Sequence, residues 1–327
     1  MTPTAIGISL GDAGGIGPEV TIKALFSFPD LPEADYILFG PRYIIDKETK
    51  RSGLNIKIPD YTPKKRLKSK RITVYDRPFP SKPNSSNHPC KENGELSFNC
   101  FKKAVEKAEQ GSLNAVVTAP ISKKAWKLAG IDWAGHTEYL CRYYPEAIMS
   151  FFSKNMNIAL FTHHISLKKA LHKIKKNDLY HFFLKLDTLT QKAFNQNFHL
   201  LVPGINPHAG EGGIMGNEEI DEIIPAVKAA QENGVNISGP YPPDTVFNIA
   251  YKDNKKIVAA LYHDQGLIAF KLISFNEGVN VTLGLPFTRT SPDHGTAFDI
   301  AGKGTADPTS MFEAIKLAVQ LARNQKT

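Results

Sequence analysis

Short runs rich in β-branched and aromatic residues alternate along this chain with segments of helical periodicity. That alternation constrains the fold more than any other feature. The runs AIGISL (5–10), DYILFG (35–40), RITVYD (71–76), AVVTAP (115–120), NIALFT (157–162), FHLLVPGI (198–205), KIVAALYH (256–263) and VNVTLGL (279–285) read as strands. ELSFNCFKKAVEKAEQG (95–111), the basic stretch from Ser166 to about Asn195, EEIDEIIPAVKAAQENG (218–234) and MFEAIKLAVQLARNQ (311–325) read as helices. An α/β fold is expected, because interspersed helices are what cover the faces of a largely parallel sheet. Gly111 and Gly234 close two of the helices, where a left-handed C-cap is expected. FPSKPNSSNHPCKENG (79–94) is rich in Pro, Ser and Asn and reads as a mobile loop.

Bulk properties remove several classes. Hydrophobic residues make up 42% and charged residues 22%, which is globular composition and excludes a disordered chain. No apolar run approaches the roughly 20 residues that span a bilayer. The start, MTPTAIGISLGDAGG, has neither a basic n-region nor a long apolar stretch, so no export signal is expected. Three cysteines, Cys90, Cys100 and Cys141, form no CxxC pair, and an odd number argues against a disulfide framework. A reduced cytoplasmic protein follows. The net charge of +8 is concentrated in PKKRLKSKR (63–71) and SLKKALHKIKK (166–176). Neither run interleaves aromatic residues with Lys and Arg, so both read as solvated surface and not as a nucleic-acid platform.

Unusual residues gather just after the strand candidates: GDAGG, THH, NPHAG and HDQG. In open α/β sheets ligands bind outside the carboxyl ends of strands. His164, His208 and His263 each end a strand and begin a loop, so they are candidates for a tri-histidine site holding a divalent ion with positions open to substrate. His163 competes with His164, and spacing does not separate these neighbours. Asp264 and Asp244 are candidate acceptors for imidazole N–H groups. The glycines around His208, in INPHAGEGGIMG (205–216), are expected to leave room for the ion and its ligand.

Two further loops look like cofactor loops. GDAGGIGPEV (11–20) leads from a strand toward a helix, with Pro18 suited to the first turn and backbone N–H groups offered to an anion. Its spacing is not GxGxxG, so a Rossmann fingerprint fails. SPDHGTAFDIAGKGTADP (291–308) places three glycines in an otherwise patternless segment. Together the two loops resemble those bordering the NAD site of the β-decarboxylating dehydrogenases of the isocitrate and isopropylmalate type. The implied fold is α/β, two α/β/α subdomains with a cleft between, and not a classical Rossmann domain. The cofactor residues expected from these loops are Gly11, Asp12, Gly15, Gly17, His294, Gly295, Thr296 and Asp299. Because both loops lie near the termini and the histidines in the middle, a discontinuous outer domain (1–130 with 285–327) is expected around an inner one (131–284).

The chain more closely resembles the 4-hydroxythreonine-4-phosphate dehydrogenase family of vitamin B6 synthesis. The ordered landmarks are GDxxGIGPE, TAPISK (118–123), AGHTEYL (134–140), NPHAGEGG (206–213), GPYPPDT (239–245), YHDQG (262–266) and GVNVTLGLPFTRTSPDHGTA (278–297). The family usually has Pro-Ala where this chain has Ala13–Gly14, Asn at Ser122, and a further His at Ile214, so position 214 is not an essential ligand. The resemblance implies metal ligation by His164, His208 and His263, with Zn, Mg or Co shared between subunits of a homodimer. It implies substrate binding by His136, Thr137, Lys271, Asn280 and Arg289. The implied reaction is NAD- or NADP-dependent oxidation of 4-phosphohydroxy-L-threonine at C3 with loss of the C1 carboxylate, giving 3-amino-2-oxopropyl phosphate. Lys271 and Asp244 are the candidate bases. Threonate or erythronate 4-phosphate is the alternative substrate within the same architecture. A metal-dependent hydrolase or aldolase would leave the two cofactor loops without a role.

Overall fold

Each of the eight strand-like runs becomes a strand, and three further strands appear. The computed structural model describes residues 4–62, 71–76 and 87–325. Within them the strands are Ala5–Ser9 (β1), Asp35–Phe39 (β2), Arg71–Tyr75 (β3), Ala115–Thr118 (β4), Ile148–Phe152 (β5) and Asn157–Leu160 (β6). His199–Pro203 (β7), Ile237–Tyr241 (β8), Lys256–Ala260 (β9), Val279–Leu283 (β10) and Thr288–Pro292 (β11) follow. The unexpected strands are β5, β8 and β11. Two of these, ISGPY and TRTSP, carry Pro, Ser and Thr in place of an apolar run, so propensity does not mark them.

The chain divides into two compact units, Met1–Pro145 with Leu285–Thr327 and Glu146–Gly284. In the first, β3, β2, β1, β4 and β11 lie side by side and all pairings are parallel. Parallel strands bury both faces, and β1, β2 and β4 accordingly read as near-continuous apolar runs such as Ile6, Ile8, Ile37, Leu38, Val116 and Val117. In the second unit the order is β10, β5, β6, β9, β7 and β8. It is antiparallel from β10 to β6 and parallel from β6 to β8. Its core joins Met149, Phe151, Ile158, Leu201, Val258, Leu267 and Phe270, each buried large side chain contributing about 1.5–3 kcal/mol.

The helices depart from the sequence reading in three places. Residues 91–94 are not loop: helix Lys91–Glu109 begins there, with Asn93 and Gly94 buried. A Cβ at Gly94 would stand 2.1 Å from the Ala125 carbonyl, so this glycine permits close approach of helix Lys123–Leu128 and does not mark a turn. Residues 79–86 lie outside the described residues, as do 63–70 of the first basic run. The second basic stretch is two helices, Leu167–Lys173 and Lys176–Phe194, with extended backbone at Ile174 and Lys175 between them. Glu222 accepts from the Lys176 N–H (2.6 Å) and from Lys175 Nζ (2.8 Å), which anchors the second start. The 218–234 helix opens with a π-helical turn, Glu219–Ile223, before Ile224–Glu232. Gly111 and Gly234 take the expected left-handed conformation, at φ +69° and +83°.

Candidate active site

In the second unit the parallel neighbours β6, β9 and β7 end on the same side of the sheet, and the segments that follow carry His163 and His164, His263, and His208 in turn. Three hydrogen bonds stitch these ends together. Thr162 Oγ1 donates to the Leu261 carbonyl (2.8 Å), the Leu261 N–H donates to Gln265 Oε1 (2.8 Å), and Gln265 Nε2 donates to the Gly204 carbonyl (2.8 Å). Gln265 is buried, and its two-sided amide bridges β9 to β7. The sequence reading did not single it out, although it stands in the YHDQG landmark.

The rings of His164 and His263 lie 5.4 Å apart between centroids, and that of His163 lies 5.3 Å from His164. Asp264 Oδ1 sits 2.7 Å from His263 Nδ1, an arrangement that fixes the ring and leaves Nε2 to face outward. His164 and His208 both hold left-handed backbone, φ +43° and +55°, which is costly for a residue with a Cβ and is concentrated at functional positions. Imidazoles from adjacent strand ends, one already oriented by a carboxylate, are donors suited to a divalent ion of the borderline class.

Two of the glycines near His208, Gly210 and Gly216, have a scaffold role. Buried Glu219 lies beneath the loop, its Oε1 accepting from the N–H groups of Ile205 (2.6 Å) and Asn206 (2.8 Å) and its Oε2 from Asn206 Nδ2 (2.9 Å). A Cβ on Gly210 would stand 2.7 Å from Glu219 Oε2, and one on Gly216 would stand 2.4 Å from Asn206 Nδ2. These glycines make room for the carboxylate and amide that hold the loop, so the scaffold of the histidine loop accounts for them. Nothing in the sequence separated Glu219 from an ordinary acidic helix start.

The remaining candidates of this unit are spread more widely. Lys271 lies two turns after His263 on helix His263–Ser274 and is half-buried. Asn280 is on β10, paired with Phe151, with β5 between it and β6. Asp244 is exposed in the turn before helix Val246–Ala250.

In the first unit β4 lies between β1 and β11. Arg289, in the middle of β11, is 3% exposed. Its Nη2 donates to Thr118 Oγ1 at the end of β4 (2.7 Å) and lies 3.5 Å from His136 Nδ1. Burial lowers the guanidinium to about 10, so it stays charged at neutral pH. The same burial, reinforced by the Arg289 charge, holds His136 well below its ordinary value and therefore neutral. Because arginine only donates, Nδ1 of His136 is the acceptor and the ring proton rests on Nε2. That Nε2 is buried without a hydrogen-bond partner among the described residues. His136 opens helix His136–Tyr143, with Thr137 buried beside it, and its ring packs against Phe101 and Trp126 at 4.5 and 5.3 Å. A buried cation, a neutral N–H donor and a hydroxyl around one point suit a phosphate or carboxylate. Sequence reading reached Arg289 only through the family resemblance, and it assigned no role to Thr118.

The two glycine loops of this unit meet. The Ile16 N–H donates to the Thr296 carbonyl (2.9 Å), and a Cβ on Gly15 would stand 2.7 Å from the same oxygen. Asp12 is fully buried, and desolvation raises its carboxyl to about 6 against the pull of the Gly14 N–H on Oδ1 (2.9 Å). Asp12 Oδ2 and His294 Nε2 are buried without partners among the described residues. Burial also lowers His294. Gly17 starts helix Gly17–Phe26, Gly295 and Asp299 are exposed, and Thr296 is half-buried. One expectation is corrected: the N–H groups of Asp12, Gly14, Gly15 and Ile16 are all donated within the unit, so these four are not offered to an anion. The loop presents side chains and shape instead.

No helix among the described residues is long and apolar enough to cross a membrane. The model of the family described as pyridoxal phosphate biosynthetic protein PdxA matches residues 33–318. A 4-hydroxythreonine-4-phosphate dehydrogenase of Sulfurihydrogenibium sp. is 39% identical, over 98% of this chain and 99% of its own. A D-threonate 4-phosphate dehydrogenase of Salmonella typhimurium is 37% identical, over 98% of this chain and all of its own. The crystal structure of a 4-hydroxythreonine-4-phosphate dehydrogenase from Klebsiella pneumoniae superposes with a TM-score of 0.84 at 35% identity, covering 98% of both chains. Sequence, family pattern and fold agree along nearly the whole chain, which belongs to the PdxA family of 4-hydroxythreonine-4-phosphate dehydrogenases.

Proposed function

We propose that the protein is a metal-requiring, NAD(P)-dependent dehydrogenase of 4-phosphohydroxy-L-threonine. It oxidises the C3 alcohol and releases the C1 carboxylate as CO2, giving 3-amino-2-oxopropyl phosphate. The observation that carries this reading is the buried guanidinium of Arg289 beside neutral His136 and the Thr118 hydroxyl, a receptor built for an anionic group on a small substrate. The net charge of +8 favours approach of such a substrate.

A divalent ion (Zn, Mg or Co) on His164, His208 and His263 would supply Lewis acidity for developing oxyanion charge, and NAD or NADP would supply the hydride acceptor. Arg289 binds the anionic group with two N–H donors, and His136 adds Nε2–H as a neutral donor. Thr137, Asn280 and Lys271 complete the substrate contacts. Asp264 keeps the His263 ring in its orientation. Lys271 or Asp244 takes the hydroxyl proton. The loops around Asp12 and His294 receive the dinucleotide, with Gly11, Gly15, Gly17, Gly295, Thr296 and Asp299.

A homodimer sharing the ion belongs to the same reading. Ile268, Leu272 and Phe275 are 70%, 86% and 60% exposed and recur every three or four residues along helix His263–Ser274 and its C-cap, an apolar stripe that water does not favour. Leu272→Glu should shift the protein to monomer in light scattering.

A second reading, D-threonate 4-phosphate as substrate, is supported by the relative of that name at nearly the same identity. Both are tested by nicotinamide reduction with each compound, with and without chelator, and kcat/KM compared. Absence of reduction with either compound at saturating metal would overturn the proposal.

A further inference from the structure

We infer that Lys23 and Glu19 are positioning residues for the dinucleotide, acting as a clasp that sets the second glycine loop. The inference rests on the reading that this loop borders a dinucleotide site. Lys23 Nζ donates to Glu19 Oε1 (2.8 Å), the Gly304 carbonyl (2.8 Å) and the Ala306 carbonyl (2.9 Å), so all three ammonium N–H groups are used. Glu19 Oε1 also accepts from the Ala306 N–H (2.9 Å). The side chain of Glu19 is 3% exposed, and its other oxygen, Oε2, is buried without a partner among the described residues. A buried carboxylate with one satisfied oxygen is costly to keep. Among the described residues its hydrogen bonds run to Lys23 and to the Ala306 N–H.

Geometry explains what the clasp does. Helix Gly17–Phe26 grows directly out of the first glycine loop and carries Glu19 and Lys23 on successive turns. The second loop is pinned to the first at Thr296 by the Ile16 N–H and to this helix at 304–306 by the clasp. A second charged pair flanks the same segment: Arg51, bonded to buried Glu48 (2.7 Å), lies against Gly302, where a Cβ would stand 3.3 Å from its Nη1. Residues 297–303, including exposed Asp299, thus run between these fixed points, with Asn87 Nδ2 donating to the Ala301 carbonyl (2.9 Å) between them. Neither Glu19 nor Lys23 needs to touch a ligand. They determine where His294, Thr296 and Asp299 stand relative to Asp12.

The test uses the full chain and NAD or NADP as the probe in calorimetry. Lys23→Met removes all three donors, and the double change Lys23→Met with Glu19→Gln removes both charges should the single variant fail to fold. Lys23→Arg keeps the charge. Expected is a rise of about tenfold or more in dinucleotide Kd for the first two, and a smaller rise for Lys23→Arg, as charge-assisted bonds to the loop are lost. The KM of the phosphorylated substrate should not move, and kcat at saturating dinucleotide should be retained. Folded variants with Kd within about twofold of the parent, the range of neutral surface changes, overturn the inference. So does a parallel loss in kcat and both KM values. A parent protein that binds neither dinucleotide overturns the functional reading as well, which separates the two failures.

Discussion

The Arg289 guanidinium and the His136 imidazole lie 3.5 Å apart, both buried, one charged and the other neutral. Arg289→Lys keeps the charge but loses the planar fork. It should raise the KM of the phosphorylated substrate about 10- to 100-fold, the cost of one charged hydrogen bond. For His136 the sign follows from its lowered value: the unfolded chain takes a proton near pH 6.5 and the folded chain does not. Stability is therefore present above that pH and is lost as the pH falls through it. His136→Gln should shrink the fall in Tm between about pH 7.5 and about pH 5.5, measured beside the parent.

Asp12 behaves with the opposite sign. Its carboxyl is raised from 3.8 to about 6, so between those values the folded chain holds a proton that the unfolded chain releases, and stability falls as pH rises. Asp12→Asn retains an acceptor for the Gly14 N–H and removes the buried charge. It should stabilise the protein by up to about 3 kcal/mol near pH 8 and by little near pH 4, read from denaturant titrations. Dinucleotide affinity should fall in the same variant.

Asp264 orients His263 through a 2.7 Å contact to Nδ1. Asp264→Ala should weaken Zn or Co binding about 10- to 100-fold in calorimetry, with Asp264→Asn between it and the parent. Unchanged metal affinity in both variants would remove Asp264 from the site.

Gly210 and Gly212 offer a matched pair. Both have positive φ, +79° and +66°, but only Gly210 has Glu219 Oε2 where a Cβ would go, at 2.7 Å, while Gly212 faces open space. Gly210→Ala should cost about 2–4 kcal/mol in chemical denaturation, since the conformational penalty and displacement of the carboxylate add. Gly212→Ala should cost about 1–2 kcal/mol, the conformational part alone. Metal affinity should drop with Gly210→Ala and hold with Gly212→Ala.

The strands were largely legible, because apolar runs such as YILF and IVAA bury both faces and carry that demand in their composition. β8 and β11 were not, since their pairing with β7 and with β4 places them and their own composition does not mark them. Arg289 illustrates the point: a lone arginine between threonines has no local signature of burial, and only the pairing of β11 with β4 encloses it. The histidines stood out in the sequence because each follows a strand. Glu219 and Gln265, which hold the loops in place, act across 13 and 61 positions, and spacing carries no trace of that. Of the glycines of the His208 loop, Gly210 and Gly216 have a scaffold role that the sequence did not reveal, because a sequence displays flexibility without showing what fills the space.

The pairing of β4 with β11 brings Thr118 to a guanidinium 171 positions further on. On the ribosome, the parallel sheet of the first unit must wait for β11 and for helix Thr309–Asn324, which packs on it, while Glu146–Gly284 is continuous and is complete just before β11 is made. Assembly should thus be staggered, the central segment maturing first and β4 holding an unsatisfied edge until β11 has emerged. During that interval the nascent chain is at its most adhesive, and a holding chaperone would have its greatest effect.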